Sequence, residues 1–169
     1  MISKKVNHAL NVQINAEFFS SYLYLSMSAW LGSKNLTGFS SWMRAQAQEE
    51  LFHATKMYDY VIERGGEVEL FTIEQPKSVW TSASEVMSDV VDHEAKVTGM
   101  INDLLDVSIE ERDHAASIFL QWFVAEQVEE EATVGGVFEK MKLIGGDTAG
   151  LFVLDVELAK RQFVPPVAG

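Results

Sequence analysis

Residues 35–64 read NLTGFSSWMRAQAQEELFHATKMYDYVIER, and this stretch decides the architecture. At about 100° per residue, Leu36, Phe39, Met43, Ala47, Ala54, Met57 and Val61 fall within about 60° of Glu50. A carboxylate therefore stands at the centre of an apolar helical face. An ionised glutamate there needs a proton, a hydrogen-bond network or a cation, because an unpartnered buried charge is costly. His53 lies three residues on, on the same face. Glu-x-x-His is the spacing at which one helix offers an oxygen and an imidazole to a single metal ion from inside a helical bundle. Chance also places such a pair on solvated helices, so its meaning depends on what other helices bring to the same level.

Working outward, the preceding helix spans about Lys5 to Leu31, with Val6, Leu10, Glu17, Tyr24 and Ser28 on one stripe, and Gly32-Ser33-Lys34-Asn35 ends it. Gly65-Gly66 closes the quoted helix as a C-cap signal. Between Gly65 and Thr81 the periodicity breaks, and Pro76 bars a helix through the segment. That connection is too long for a hairpin, and a crossover along a four-helix bundle is one of the few architectures that needs one. Ser82 and Ser84 are N-cap candidates for a third helix, where Ala83, Met87, Val90, Val91, Val97, Thr98, Ile101 and Leu105 surround Glu94. Residues 108–113 read as the next turn. A fourth helix from about Asp113 to Ile144 carries Ala116, Phe119, Phe123, Val134, Val137, Met141 and Ile144 around Glu130. Gly145-Gly146 closes it, and Asp147-Thr148 caps a fifth segment, Ala149 to about Phe163, which is apolar around much of its circumference.

Each long helix thus places one glutamate on its apolar face. In an antiparallel hairpin, residues equidistant from the turn lie side by side. The midpoint of positions 17 and 50 falls between Ser33 and Lys34, and that of 94 and 130 is Arg112. Both midpoints lie inside the expected turns, so turn placement alone brings Glu17, Glu50, Glu94 and Glu130 to a common height. Four carboxylates in an apolar interior cannot all ionise without compensation. Two divalent cations supply it. With one imidazole the donor set is hard and oxygen-rich, which suits iron or manganese, and iron adds the capacity to deliver electrons to dioxygen. Zinc fits the same donors without redox chemistry.

Composition sets the bounds. A chain of 169 residues suits a single domain over 1–169, and 47% hydrophobic content is enough for a core. No apolar run is long enough to span a bilayer and no secretory h-region follows Met1, so the expectation is a cytoplasmic protein without a membrane partner. The absence of cysteine excludes disulfides and thiolate ligands. A formal charge of -12 argues against nucleic acid; it fits cations as partners and equally an acid excess that serves solubility, and charge does not decide between them. No nucleophile motif or phosphate-cradling glycine loop supports a hydrolase or nucleotide-binding reading.

Glu17, Tyr24, Glu50-x-x-His53, Glu94 and Trp122-Phe-Val-Ala-Glu-Gln127-Val-Glu-Glu130 resemble the pattern of the prokaryotic non-haem ferritins over nearly the whole chain. The resemblance implies a ferritin-like all-α bundle, about residues 5–144, with a short fifth helix at about 147–163. It also implies that Glu17, Glu50 and His53 hold one iron, that Glu94 and Glu130 hold a second, and that Glu50 bridges them. Gln127 matches a weak ligand or outer partner. A symmetric di-iron centre has a second Glu-x-x-His pair, but this chain carries Gln127 and Glu130 there, leaving the second site short of strong ligands. Such a site suits storage, since iron can leave after oxidation. Bacterioferritins place a haem-ligating methionine after the glutamate of the first motif; Leu51 occupies that position, so haem is not expected.

Glu49, Glu126 and Glu129 lie about 40 to 100° from Glu50 or Glu130 on the wheel, as does Trp122. Spacing alone makes them a solvated acidic flank, whereas the resemblance implies a third iron site facing a cage interior. Tyr24, two turns after Glu17, is implied to hydrogen-bond a site carboxylate and lend an electron during oxygen reduction. His8, His93 and His114 read as surface residues. The implied function is ferroxidase activity, oxidation of Fe(II) by dioxygen or hydrogen peroxide, with storage of Fe(III) mineral in a hollow homo-oligomeric cage, a 24-mer. The apolar fifth helix fits burial against symmetry mates. A rubrerythrin-like oxidase is weakened by the missing second Glu-x-x-His and the missing cysteines. A metal-free acidic bundle acting as an interaction module is separable by its size in solution.

Overall fold

A computed structural model describes residues 2–165. Met1 and residues 166–169 lie outside the described residues. Five helices follow in chain order: α1 (Lys4–Ser33), α2 (Thr37–Glu63), α3 (Ala83–Glu110), α4 (His114–Ile144) and α5 (Thr148–Leu158). Among the described residues there is no strand. Among the described residues no helix is long and apolar enough to cross a membrane.

Hairpin α1–α2 turns at Asn35 and hairpin α3–α4 at Arg112, each with a positive φ (61° and 55°). Both turns fall within two residues of the midpoints inferred from the glutamate positions. Local chemistry starts most of the helices. The Ser3, Ser82, Asp113 and Asp147 side chains accept from the first-turn N–H groups of α1, α3, α4 and α5, each satisfying a donor that has no partner within its helix. Between the two candidate caps of α3, the structure selects Ser82; Glu85 completes the turn by accepting from Thr81 N and Oγ1 at 2.7 Å. Arg64 at the end of α2 donates to both oxygens of Asp113 at 3.0 Å, tying the two hairpins together.

The connection from α2 to α3 contains no helix and runs along α1. Near the start of α1, Asn11 Oδ1 accepts from Glu69 N at 2.8 Å and Asn11 Nδ2 donates to Glu67 O at 2.9 Å. Farther along, Ser26 Oγ donates to Lys77 O at 2.7 Å, and Trp80 is buried with its indole N–H on Asp89 Oδ2 at 2.8 Å. This is the expected crossover. It lets α3 return antiparallel to α4 and alongside α1.

Two helix ends depart from the sequence reading. Residues 108–110 belong to α3 and not to the turn: Ser108 is buried and its hydroxyl donates to Leu105 O at 2.7 Å, a contact that helical geometry provides. The fifth helix stops at Leu158 rather than near Phe163, and the chain beyond it folds back on α2.

The apolar interior falls into two clusters. One contains Leu23, Met27, Met43, Ala47, Val90 and Val134, and the other Ile14, Met57, Val97, Ile101, Leu120 and Phe123, with further residues beyond each. On every long helix the gap between the clusters is the stretch that carries the glutamate. The bundle is therefore two hydrophobic blocks separated by one polar layer.

Candidate metal centre

That layer contains Glu17, Glu50, His53, Glu94, Gln127 and Glu130, all buried, with Glu94 fully inaccessible. Neutral glutamines and apolar packing surround these carboxylates. Glu17, Glu50 and His53 each offer a ligand atom, all lying within 4.8 Å of one another. His53 Nδ1 is 3.3 Å from Glu50 Oε2. The imidazole is held edge-on by Trp122 and Phe123, at centroid separations of 5.5 and 5.8 Å, which fixes the ring plane.

Each carboxylate has an oriented partner. Gln13 Nε2 donates to Glu17 Oε1 at 2.8 Å, and Gln46 Nε2 donates to Glu130 Oε2 at 2.9 Å. The Tyr24 hydroxyl donates to Glu94 Oε1. Gln127 Nε2 donates to Glu94 Oε2 at 3.2 Å and to Thr98 Oγ1 at 3.2 Å. Gln127 thus meets Glu94 through its amide donor, in keeping with an outer partner. Glu94 and Glu130 share the layer but lie outside the tight triad. Glu17 Oε2 is buried with no hydrogen-bond partner. A buried carboxylate oxygen rarely goes unsatisfied, and this one belongs to the triad. The donors present fit a hard divalent cation such as iron.

Electrostatics reinforce the fit. Burial, with the Glu50 charge next, pushes the Glu17 carboxyl up to about 8. Burial likewise raises Glu94 to about 7, although the Tyr24 hydrogen bond pulls it down. Glu50 is raised well above the ordinary carboxylate range by burial and by the charges of Glu94 and Glu130. The Tyr24 phenol is pushed up by burial and by Glu94. A cluster that resists ionisation this strongly exchanges its protons for metal charge when a cation enters.

On the flank of this layer, Glu49 is nearly buried while Glu126 is half-buried and Glu129 exposed. Burial and the Glu130 charge push Glu49 up to about 7 against the pull of Arg161, and burial also raises Glu126.

His93 corrects the surface reading. It is half-buried between α1 and α3, with Nε2 2.8 Å from Ser20 Oγ and its ring edge-on to Tyr24 at 5.8 Å. Ser20 has one proton and donates it to Ala16 O at 3.0 Å, so His93 Nε2–H donates to Ser20. Burial, with Lys96 adding, lowers the imidazole to about 4. Its position about 100° off the Glu94 stripe suggested solvent, but the Tyr24 ring extends far enough to cover that side. His8 and His114 are exposed as expected.

Sequence reasoning missed Gln13, Gln46 and Arg161. Gln13 had a signal, four residues before a buried glutamate on one face. Gln46 has the same spacing to Glu50, but its amide and the Arg161 guanidinium act across the fold, on Glu130 and Glu49, and spacing points to neither partner.

Comparison with known proteins gives a consistent answer. The family model for a ferritin-like domain matches residues 7–144. The bacterial non-heme ferritin of Bacteroides fragilis is 44% identical over 161 residues, covering 95% of this chain and all of that one. The bacterial non-heme ferritin of Campylobacter jejuni is 40% identical over 92% of this chain and 93% of its own. Among solved structures, an open pore ferritin from the hyperthermophilic archaeon Archaeoglobus fulgidus superimposes with a TM-score of 0.95 at 52% identity, covering 96% of this chain and all of that one. By this match and by the polar layer that its four long helices enclose, the chain belongs to the ferritin family, the family of iron-storage proteins.

Proposed function

We propose that the chain is a ferroxidase as well as a store, with Fe(II) as its substrate at the polar layer. Glu17, Glu50 and His53 bind one Fe(II), Glu94 and Glu130 a second, and Glu50 lies between the two. Two Fe(II) ions give one electron each to dioxygen, which leaves with two protons as hydrogen peroxide; peroxide takes two electrons from a further pair with two more protons and leaves as two waters. The protein's part is to hold the pair together, exclude bulk water and accept or release protons at the four carboxylates. Gln13, Gln46 and Gln127 orient those carboxylates from outside. Tyr24 holds Glu94 and is the nearest phenol able to supply an electron. Glu49, Glu126 and Glu129 form a third, more exposed cation site.

The observation that carries this reading is the buried triad with an unpartnered Glu17 oxygen inside a four-carboxylate layer. Balance of charge asks for two divalent ions there. Storage of the product as mineral needs an enclosed volume, which a single bundle lacks. We therefore read the whole chain as one ferritin-like domain assembling into a homo-oligomeric cage, a 24-mer. The apolar outer face of α5 supports this, with Phe152 and Val153 at 69% and 66% exposure on the lone chain.

Rapid mixing with two Fe(II) per subunit under dioxygen tests the centre. Wild type should show a fast oxidation phase that Glu130→Ala slows on the order of tenfold or more, with the assembly unchanged in size. Equal initial rates would overturn the ligand assignment, and a monomer or dimer mass for the wild type would overturn the cage.

A further inference from the structure

Beyond Ala159, which caps α5, the chain doubles back over α2. Arg161 Nη2 donates to Glu49 Oε2 at 2.5 Å, and the guanidinium lies over the Trp42 ring, 4.9 Å from its centroid. Two residues on, the Phe163 ring packs on Phe52 at 5.9 Å. Phe52 in turn touches His53 and Trp122. The tail therefore covers the α2 flank of the metal layer. It reaches a partner 112 residues away in sequence.

Solvated Arg–Glu pairs contribute little. This one is largely withdrawn from water, with the two side chains 22% and 16% exposed. Arg161 Nη1 is buried without a hydrogen-bond partner, so the guanidinium gives up part of its five-donor capacity to sit where it does. What holds it is the Trp42 face and the negative field of Glu49 with its acidic neighbours. Among the described residues, Arg161 is the one basic side chain in ion-pair contact with Glu49. It occupies a place that a metal cation at this carboxylate would take.

We propose that Arg161 is a built-in competitor for the third cation: it holds Glu49 until a divalent ion displaces it, so the flanking site fills after the paired centre. This rests on the third-site reading given above. The competition is one of charge for charge at a single carboxylate. Since Arg161 and Phe163 share one short segment, filling the flanking site also loosens the tail from α2.

Calorimetric titration of the assembled protein with Zn(II), which takes the same donors without redox chemistry, tests the proposal. Wild type should bind two tight equivalents per subunit and a weaker third that Glu49→Gln abolishes. Arg161→Met keeps the stem and removes the charge, and should tighten the third step on the order of tenfold with the first two unmoved. Arg161→Gln should do the same, whereas Arg161→Lys should stay near wild type. A third step unmoved in both uncharged variants, weakened in all three, or missing from every protein would overturn the competition. Absence of the two tight equivalents from wild type would overturn the paired centre instead.

Discussion

The Tyr24 hydroxyl and the Glu94 carboxylate meet across the α1–α3 interface, each inaccessible to solvent, joined by a hydrogen bond in which the phenol donates to Oε1. Tyr24 is itself held edge-on by His93. Tyr24→Phe removes the donor that favours ionised Glu94, so the Glu94 carboxyl should rise further above its value of about 7. A stability loss of about 1–3 kcal/mol is expected for a buried acceptor left unsatisfied. A shift of Zn(II) or Fe(II) binding to higher pH checks the first effect, and thermal unfolding of the metal-free variant checks the second.

The pH dependence of the metal-free protein has a defined sign. Glu17 at about 8, Glu94 at about 7 and the raised Glu50 all hold protons more tightly when folded than the ordinary value of 4.5. The folded state therefore binds more protons than the unfolded chain between these limits. Their contribution is fully present below about pH 4.5 and is lost as pH rises through about 7 to 8. Metal-free protein should melt at progressively lower temperature over that window, and Zn(II) should reverse the trend with proton release. A melting temperature that rises through the same window without metal would contradict the burial of these carboxylates.

Leu36, at the N-cap of helix α2, offers no side-chain cap, and Asp155 of α5 supplies one by accepting from Phe39 N at 2.9 Å. Asp155→Ala should cost about 1–2 kcal/mol, the usual worth of a cap, with Asp155→Asn between. Gly38 is required by the same contact, since a Cβ there would stand 1.7 Å from Asp155 O. Gly38→Ala should therefore push α5 away, and hydrogen exchange across α5 should accelerate more than for Asp155→Ala.

Phe152, Val153 and Val156 give α5 an outward apolar face that no part of its own bundle covers. If copies of the chain bury it, Phe152→Glu with Val153→Glu places two charges in that contact. The expected result is a shift of the assembly to smaller species in size-exclusion chromatography, with the helical signal of the subunit retained. An unchanged elution volume would place the α5 face outside the contacts between copies.

The core of this architecture was legible because it depends on periodicity and turn position. Glu17, Glu50, Glu94 and Glu130 stand at the centres of apolar stripes, and the Asn35 and Arg112 turns lie where hairpin symmetry requires. His93 escaped because a wheel describes one helix, whereas its burial comes from Tyr24 and Phe19 on another. Gln46 escaped for a related reason: it lies four residues before Glu50, yet its amide serves Glu130 on α4. Arg161 was invisible because its partner is set by the return of the tail over α2, 112 residues away in sequence. The inclusion of residues 108–110 in α3 is a shift of boundary and moves no site residue.

The height of the polar layer has a kinetic consequence. Glu17, Glu50, Glu94 and Glu130 each stand about three turns or more from either end of their helices. Fraying is confined to terminal turns, so the four carboxylates stay in register while the bundle ends breathe. Rearranging the four carboxylates then takes rotation of their side chains around an intact backbone and no local unfolding of the helices.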